Sequence, residues 1–253
     1  MNPWKRFIKW KNRKKGTSWN FKPWNSHGYC HCCRQDVEFQ AQKGWLRDWY
    51  LCANCRSIPR QRHLQLVLDV YYPGWEGKTI HESSPSADFL ARYAPSYSHS
   101  QYLIGEKAGD VVEGVRCENI EALTFPNESI DIFVTQDVME HVFHPERAFA
   151  EIMRVLKPGG IHIFSTPKHK ELVASVQRAA QLDDGTVKHL KEEVYHGNPV
   201  GDGKTLVTWD YGYDFEELVS QWCGHTVMTY RTRDRTKGIE AAFNEVFVVQ
   251  KSA

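Results

Sequence analysis

Residues 123–167 read LTFPNESIDIFVTQDVMEHVFHPERAFAEIMRVLKPGGIHIFSTP. The mostly apolar run Ile130–Val134 has the text of a strand buried on both faces. A helix is expected to start with Pro145 in its first turn and to stop at Lys157-Pro158-Gly159-Gly160, strong start and stop signals. On it Phe149, Ile152, Met153 and Leu156 recur at three- and four-residue steps, so that one face packs on a sheet while Glu146, Arg147 and Arg154 face water. Gly160–Thr166 then reads as the next strand. Strand, helix and strand in this order imply a right-handed crossover and a parallel sheet.

The same alternation extends back to Thr79. Thr79–His81, Tyr102–Ile104 and Val115–Cys117 are further strand candidates, and polar side chains collect where strands finish: Glu82, Glu106, and Gln136 with Asp137. In open α/β sheets ligands bind at such ends. Ser84 or Ser86 is placed to cap a helix running through Phe89 and Leu90. Downstream, Asp214 and Glu217 form a capping-box pair for a helix of Phe215, Leu218, Val219 and Trp222, with Gly224 as its stop. His225–Arg231 and Phe243–Val249 follow as two strands separated by a charged turn. Between Lys168 and Tyr213 the sheet pattern breaks off for a stretch too long for a plain connection, which suggests a functional insertion covering the substrate. Glu171–Leu182 reads as helical within it, and His196 lies beside Gly197 in the segment that would close over the sheet ends, where it is a candidate general base.

Cys30, Cys33, Cys52 and Cys55 are spaced C-x2-C-x18-C-x2-C, two knuckles whose thiolates can converge tetrahedrally on zinc. Four thiolates leave no open position, so the expected role is structural; His31 or Cys32 could replace a ligand. A helix over Ile58–Tyr71 follows, with Arg60 and Arg62 at its start facing either an anionic substrate group or plain solvent.

Taken together, Leu-Thr-Phe-Pro-Asn-Glu-Ser-Ile-Asp (123–131), Glu-His (140–141) and Leu-Lys-Pro-Gly-Gly (156–160) resemble the class I S-adenosylmethionine-dependent methyltransferases, firmly over Thr79 to Pro167 and by element order alone over Asp214 to Lys251. The resemblance implies a Rossmann-like α/β fold: a mostly parallel seven-stranded sheet with helices on both faces, preceded here by a small zinc-ribbon-like module. It implies S-adenosylmethionine as cofactor, with Glu82, Ser83 and Ser84 at the first turn, Glu106 on the ribose hydroxyls, and Asn119 and Ile120 at the adenine. Gln136 or Asp137 would meet the methionine end, and His141 would order the site or accept a proton. The glycines usual in the first turn are absent from Ile80-His81-Glu82-Ser83-Ser84-Pro85-Ser86, so a different turn is required there. The expected reaction is O-methylation of a saccharide or other small metabolite. The alternatives are methylation of a ribosomal RNA base and a non-catalytic binding protein that kept the fold.

With 253 residues, 41% hydrophobic and 25% charged, the chain can bury one α/β core with a small module attached. The expected division is a basic aromatic head at 1–26, a zinc-binding module at 27–57 and a methyltransferase domain at 58–253 with an insertion at 168–213. The net charge of +1 conceals nine Lys or Arg and no acid within residues 1–35. Interleaved with tryptophans, the bases of residues 1–20 suit RNA phosphate or an anionic membrane surface. Neither a transmembrane run nor a signal-peptide core is evident, and seven cysteines without an export signal favour metal or free thiols over disulfides; a cytoplasmic protein is expected.

Overall fold

The computed structural model describes residues 21–197 and 203–253, so the basic head of residues 1–20 lies outside the described residues. The described residues divide into two compact units, 21–66 with 232–244, and 67–197 and 203–231 with 245–253. The sequence reading makes 232–242 a charged turn and starts the last strand at Phe243, whereas that strand is Val246–Gln250.

In the first unit, strands β1 (Trp24–Cys30), β2 (Gln35–Ala41) and β3 (Tyr50–Cys52) form an antiparallel sheet, with a one-turn helix α1 (Leu46–Trp49) before β3. Helix α2 (Pro59–Tyr71) begins in this unit. Arg62, read from sequence as solvent-facing or substrate-binding, is fully buried. Its guanidinium donates to the carbonyls of Tyr50 at 2.8 Å, of Gly238 at 2.6 Å and of Ser57, and lies 4.8 Å from the Phe39 ring centre. The reason is backbone accounting: the start of β3 and two loops leave carbonyls inward, and one planar five-donor group satisfies all three. Gly238 has φ +64°, and a Cβ there would stand 2.6 Å from both Arg62 Nε and the Phe39 ring.

In the second unit the central sheet has the order β16-β17-β9-β8-β4-β5-β7-β6, from β4 (Ile80–Ser83), β5 (Tyr97–Gln101), β6 (Val111–Val112), β7 (Val115–Cys117), β8 (Ile130–Gln136), β9 (Leu156–Ser165), β16 (Val227–Tyr230) and β17 (Val246–Gln250). The core pairs β7–β5–β4–β8–β9 are parallel, and β17 inserts antiparallel beside β9. The sheet therefore has eight strands, the expected seven plus the two-residue edge strand β6 antiparallel to β7.

Helix α3 (Pro145–Val155) buries Ala148, Phe149, Ile152, Met153 and Val155 and passes directly into β9 without the loop expected at Lys157–Gly160. Its start is held from outside, since Glu121 Oε1 accepts from the Phe143 and His144 amides at 2.9 and 3.1 Å, placing a carboxylate at the positive end of the helix. Arg154, expected to face water, clamps the loop before β8 by donating to the Leu123 and Phe125 carbonyls, while Glu151 accepts from the Leu123 amide. The Leu-Thr-Phe-Pro text is thus tied to α3 by backbone hydrogen bonds to the Glu151–Arg154 ion pair of that helix.

Four further expectations are corrected. The strand expected at Tyr102–Ile104 is Tyr97–Gln101, and Ile104 is exposed. The true strand is polar because Ser98 and Ser100 hydroxyls pair with the buried His81 of β4, each at 2.9 Å, so no apolar run marks it. Phe89 and Leu90 are buried but on turns, following a run of Ser and Pro poor in helix formers. Glu171–Leu182 is not helical: among the described residues six short strands, β10 (Val176–Gln177), β11 (Ala179–Gln181), β12 (Val187–His189), β13 (Tyr195–Gly197), β14 (Lys204–Leu206) and β15 (Trp209–Asp210), pair as three ribbons, β10 with β15, β11 with β12 and β13 with β14. Before helix α4 (Phe215–Cys223) the capping box does not form; Asp214 Oδ1 instead accepts from the amide and hydroxyl of Ser175, both at 2.7 Å, and fastens the insertion. Gly224 ends α4 at φ +73°, as expected.

The buried Arg62 gives a direct test. Arg62→Ala should destabilise the first unit by roughly 3–5 kcal/mol, because three carbonyls lose their donor. Gly238→Ala should also destabilise it, and denaturant unfolding followed by tryptophan fluorescence reads both.

Candidate active site

Parallel pairing puts the ends of β4, β5, β8 and β9 side by side, with Ser83 in register with Ser100 and Thr135, and Gln136 with Ser165. At this edge Glu82 is 1% exposed. Tyr97 donates its hydroxyl to Glu82 Oε2 and Gln136 its amide to Glu82 Oε1, both at 2.9 Å. Burial pushes the Glu82 carboxyl up to about 7, against the two hydrogen bonds that favour its charged form. Gln136 Oε1 is buried and takes no hydrogen bond among the described residues, so an acceptor stands ready for a donor from outside the chain.

Both turns leaving these strands pass through the left-handed region without glycine, Ser84 at φ +54° and Asp137 at φ +55°. Ser84 donates its amide to the Ser100 carbonyl at 2.8 Å, and the Asp137 amide donates to the Ser165 carbonyl at 2.8 Å. Asp137 Oδ1 also accepts from the Ser165 hydroxyl at 3.2 Å. Neighbouring strands therefore hold both turns in a conformation that L-residues resist, the kind of strain kept at functional edges. This is the physical answer to the missing glycines: serine adopts the glycine conformation.

The expected site residues separate into two groups. Glu82, Ser83, Ser84, Gln136 and Asp137 converge at the strand ends. Glu106 does not, being exposed and five residues beyond the end of β5. The residue at the end of β5 is the half-buried Gln101, missed because the strand was placed too late. Asn119 sits just past β7, with its Oδ1 accepting from the Glu121 amide at 3.0 Å, and Ile120 packs within the core.

A second cluster forms where the insertion meets the turn after β8. Thr208 donates its hydroxyl to the Val142 carbonyl at 2.6 Å, and Tyr211 donates its hydroxyl to the Met139 carbonyl at 2.9 Å. His141 Nδ1 donates to the Leu206 carbonyl at 2.8 Å, which turns the Nε2 lone pair toward Glu140 Oε1 at 3.8 Å. On β13, His196 places Nδ1 3.8 Å from the same oxygen, and the two imidazoles meet edge to face with ring centres 5.1 Å apart. The two expected proton acceptors, fifty-five positions apart in sequence, thus share one carboxylate. Glu140 Oε2 accepts from the Thr166 hydroxyl at 3.0 Å.

In the first unit the sulfurs of Cys30, Cys33, Cys52 and Cys55 lie within 4.8 Å of one another, with Cys30–Cys55 at 3.8 Å and Cys33–Cys52 at 3.9 Å. A tetrahedron of sulfurs about 2.3 Å from zinc has edges of about 3.8 Å, so the donor set fits that ion. Each knuckle closes the same way, with Arg34 and Arg56 at positive φ returning their amides to the Cys30 and Cys52 carbonyls. Cys32 is buried outside this cluster.

Two stability measurements follow. Ser84→Gly should raise stability by about 1 kcal/mol, since it removes a left-handed L-residue. Because burial raises Glu82, the folded protein holds that proton longer than the unfolded chain; stability should fall by up to roughly 1.4 kcal/mol per pH unit from the ordinary carboxylate range to about 7, then level. Glu82→Gln should flatten that slope in denaturant titrations between pH 5.5 and 8.

Residues 84–164 match the family model described as a methyltransferase domain (type 11). The chain is 38% identical over 53 residues to a protein of Mycolicibacterium smegmatis named a probable S-adenosylmethionine-dependent methyltransferase, covering 21% of each. It is 27% identical over 154 residues to an uncharacterized methyltransferase of Schizosaccharomyces pombe, covering 58% of this chain and 53% of that one. A solved S-adenosylmethionine-dependent methyltransferase from Mesorhizobium loti superposes with a TM-score of 0.47 at 14% identity, over 75% of this chain and 98% of that one. The chain spans about half or less of the length of the curated relatives it matches. Over residues 84–164, within the parallel sheet, the chain is similar to the methyltransferase domain family.

Proposed function

We propose that this protein transfers a methyl group from S-adenosylmethionine to an oxygen of a small acceptor, a saccharide hydroxyl or that of another small metabolite. The observation that carries the reading is the Glu82–Gln136 pair at the strand ends, one carboxyl and one unsatisfied amide oxygen, beside a stretch matching methyltransferase domains. These acceptors suit the N–H donors of a methionine ammonium group, and ionised Glu82 offsets its charge. Ser83, Ser84 and Asp137 line the same edge, Gln101 takes the ribose side where Glu106 had been expected, and Asn119 with Ile120 stands toward the adenine.

When bound, the cofactor supplies a methyl group activated by a sulfonium. The chain's contribution is mainly position, since holding the reactants in line makes the encounter nearly unimolecular. His196, with His141 as the second candidate, takes the one proton that the acceptor hydroxyl gives up, and Glu140 beside both offsets the charge formed. The ribbons of the insertion carry His196 to this place and form the acceptor side. In the first unit we assign a structural zinc to Cys30, Cys33, Cys52 and Cys55; with all four positions filled it has no place in the transfer.

Donor affinity should follow Glu82. S-adenosylhomocysteine should bind roughly tenfold more tightly at pH 8 than at pH 6, and Glu82→Gln should abolish that dependence. Gln101→Ala should weaken binding more than Glu106→Ala; the reverse order would return the ribose to Glu106. His196→Ala should lower kcat by about 10²–10⁴ on a hydroxyl acceptor while leaving S-adenosylhomocysteine affinity unchanged. Chelation should remove one zinc and unfold the cysteine unit, and Cys52→Ser should do the same.

A further inference from the structure

We propose that Glu140, His141 and His196 form a second metal site, distinct from the four cysteines, that binds one divalent transition-metal ion and presents it to the acceptor. These three residues offer one ligating atom each, and those atoms lie within 4.8 Å of one another. The donor set of two imidazoles and one carboxylate suits Zn²⁺, Co²⁺, Ni²⁺ or Fe²⁺ rather than Mg²⁺ or Ca²⁺.

The site has the supports a metal centre needs. His141 gives its Nδ1–H to the Leu206 carbonyl, which fixes the tautomer and leaves Nε2 to ligate. Glu140 is held by the Thr166 hydroxyl on one oxygen and offers the other to both histidines at 3.8 Å. With bonds of about 2.0–2.2 Å, two ligands of one ion stand at most about 4 Å apart, so both carboxylate–imidazole pairs are already within that limit. His196, with 37% of its side chain exposed, closes the third pair by a small rotation of its ring. Glu140 and His141 are almost enclosed, so the ion's open positions face the His196 side.

The chemistry follows from three ligands with open coordination positions, the pattern of a reactive rather than a structural site. An acceptor hydroxyl bound there loses its proton more readily, as a metal-bound water does. The proton passes to solvent, the oxygen's electron pair would form the bond to the methyl carbon, and the carbon–sulfur bond would break with its pair left on sulfur as a neutral thioether. In the metal-bound form the imidazoles serve as ligands, and the metal takes over the activation assigned to them as bases in the metal-free form. This use of the metal rests on the methyltransferase reading, whereas metal binding itself does not.

The test uses the full chain with its cysteine cluster loaded with zinc, titrated with Co²⁺ and followed by calorimetry and visible absorption. One further equivalent should bind, giving d–d bands without the thiolate charge-transfer band that cobalt on cysteine produces. His196→Ala and Glu140→Gln should each weaken that equivalent at least tenfold, and Thr166→Val, which leaves the ligands intact, should weaken it about tenfold. Absence of a second equivalent, or one that survives His196→Ala, overturns the proposal. S-adenosylhomocysteine binding on the same samples separates the two ideas: cofactor binding without a second metal ends this inference alone, while a second metal without cofactor binding ends the methyltransferase reading and leaves the metal site standing.

Discussion

The carboxyl group of Glu82 is buried at the end of a strand, and the arrangement of the larger unit depends on that position being tolerated. Parallel pairing of β4 with β5 on one side and β8 on the other delivers Tyr97 and Gln136 to its two oxygens. A register slip of one residue would exchange Glu82 with His81, which is bound to the serines of β5, and would lose both sets of hydrogen bonds. A carboxyl that costs stability at neutral pH and stands in a row of strained turns is best understood as serving a ligand.

The same economy appears at the insertion. Its six short strands bury few large apolar side chains, and what holds it is a set of specific bonds: Thr208 and Tyr211 to backbone after β8, Asp214 to Ser175, and His141 to Leu206. Those bonds bring His196 to Glu140. The smaller unit depends instead on buried polar geometry, with Arg62 collecting carbonyls from β3 and two loops, and four sulfurs set at tetrahedral spacing.

Strong local signals carried most of the fold in the sequence. Pro145 and the apolar stripe from Phe149 to Met153 marked α3, and cysteine spacing marked the knuckles, because each expresses a constraint within a few residues. β5 was misplaced because its partners are polar: Ser98 and Ser100 serve His81, a contact seventeen to nineteen positions away that no periodicity reveals. Glu106 was accordingly placed at the strand end that Gln101 occupies. Ser84 and Asp137 could not be read as positive-φ residues, since the bonds that hold them there come from β5 and β9. Glu140, seen only as a neighbour of His141, gained its place as the hinge between two histidines once the insertion was folded. The helix expected across Glu171–Leu182 failed because its apolar spacing also fits short ribbons, and pairing with Asp210 and His189 decided between them.

The most direct test of the account is calorimetric titration of S-adenosylhomocysteine into zinc-loaded protein and into Glu82→Gln at pH 8. The account predicts binding by the wild-type chain that is weakened at least tenfold in the variant while both remain folded. Folded wild-type protein that takes up no S-adenosylhomocysteine, or a variant that binds it equally well, would contradict the assignment of the strand ends as the cofactor site.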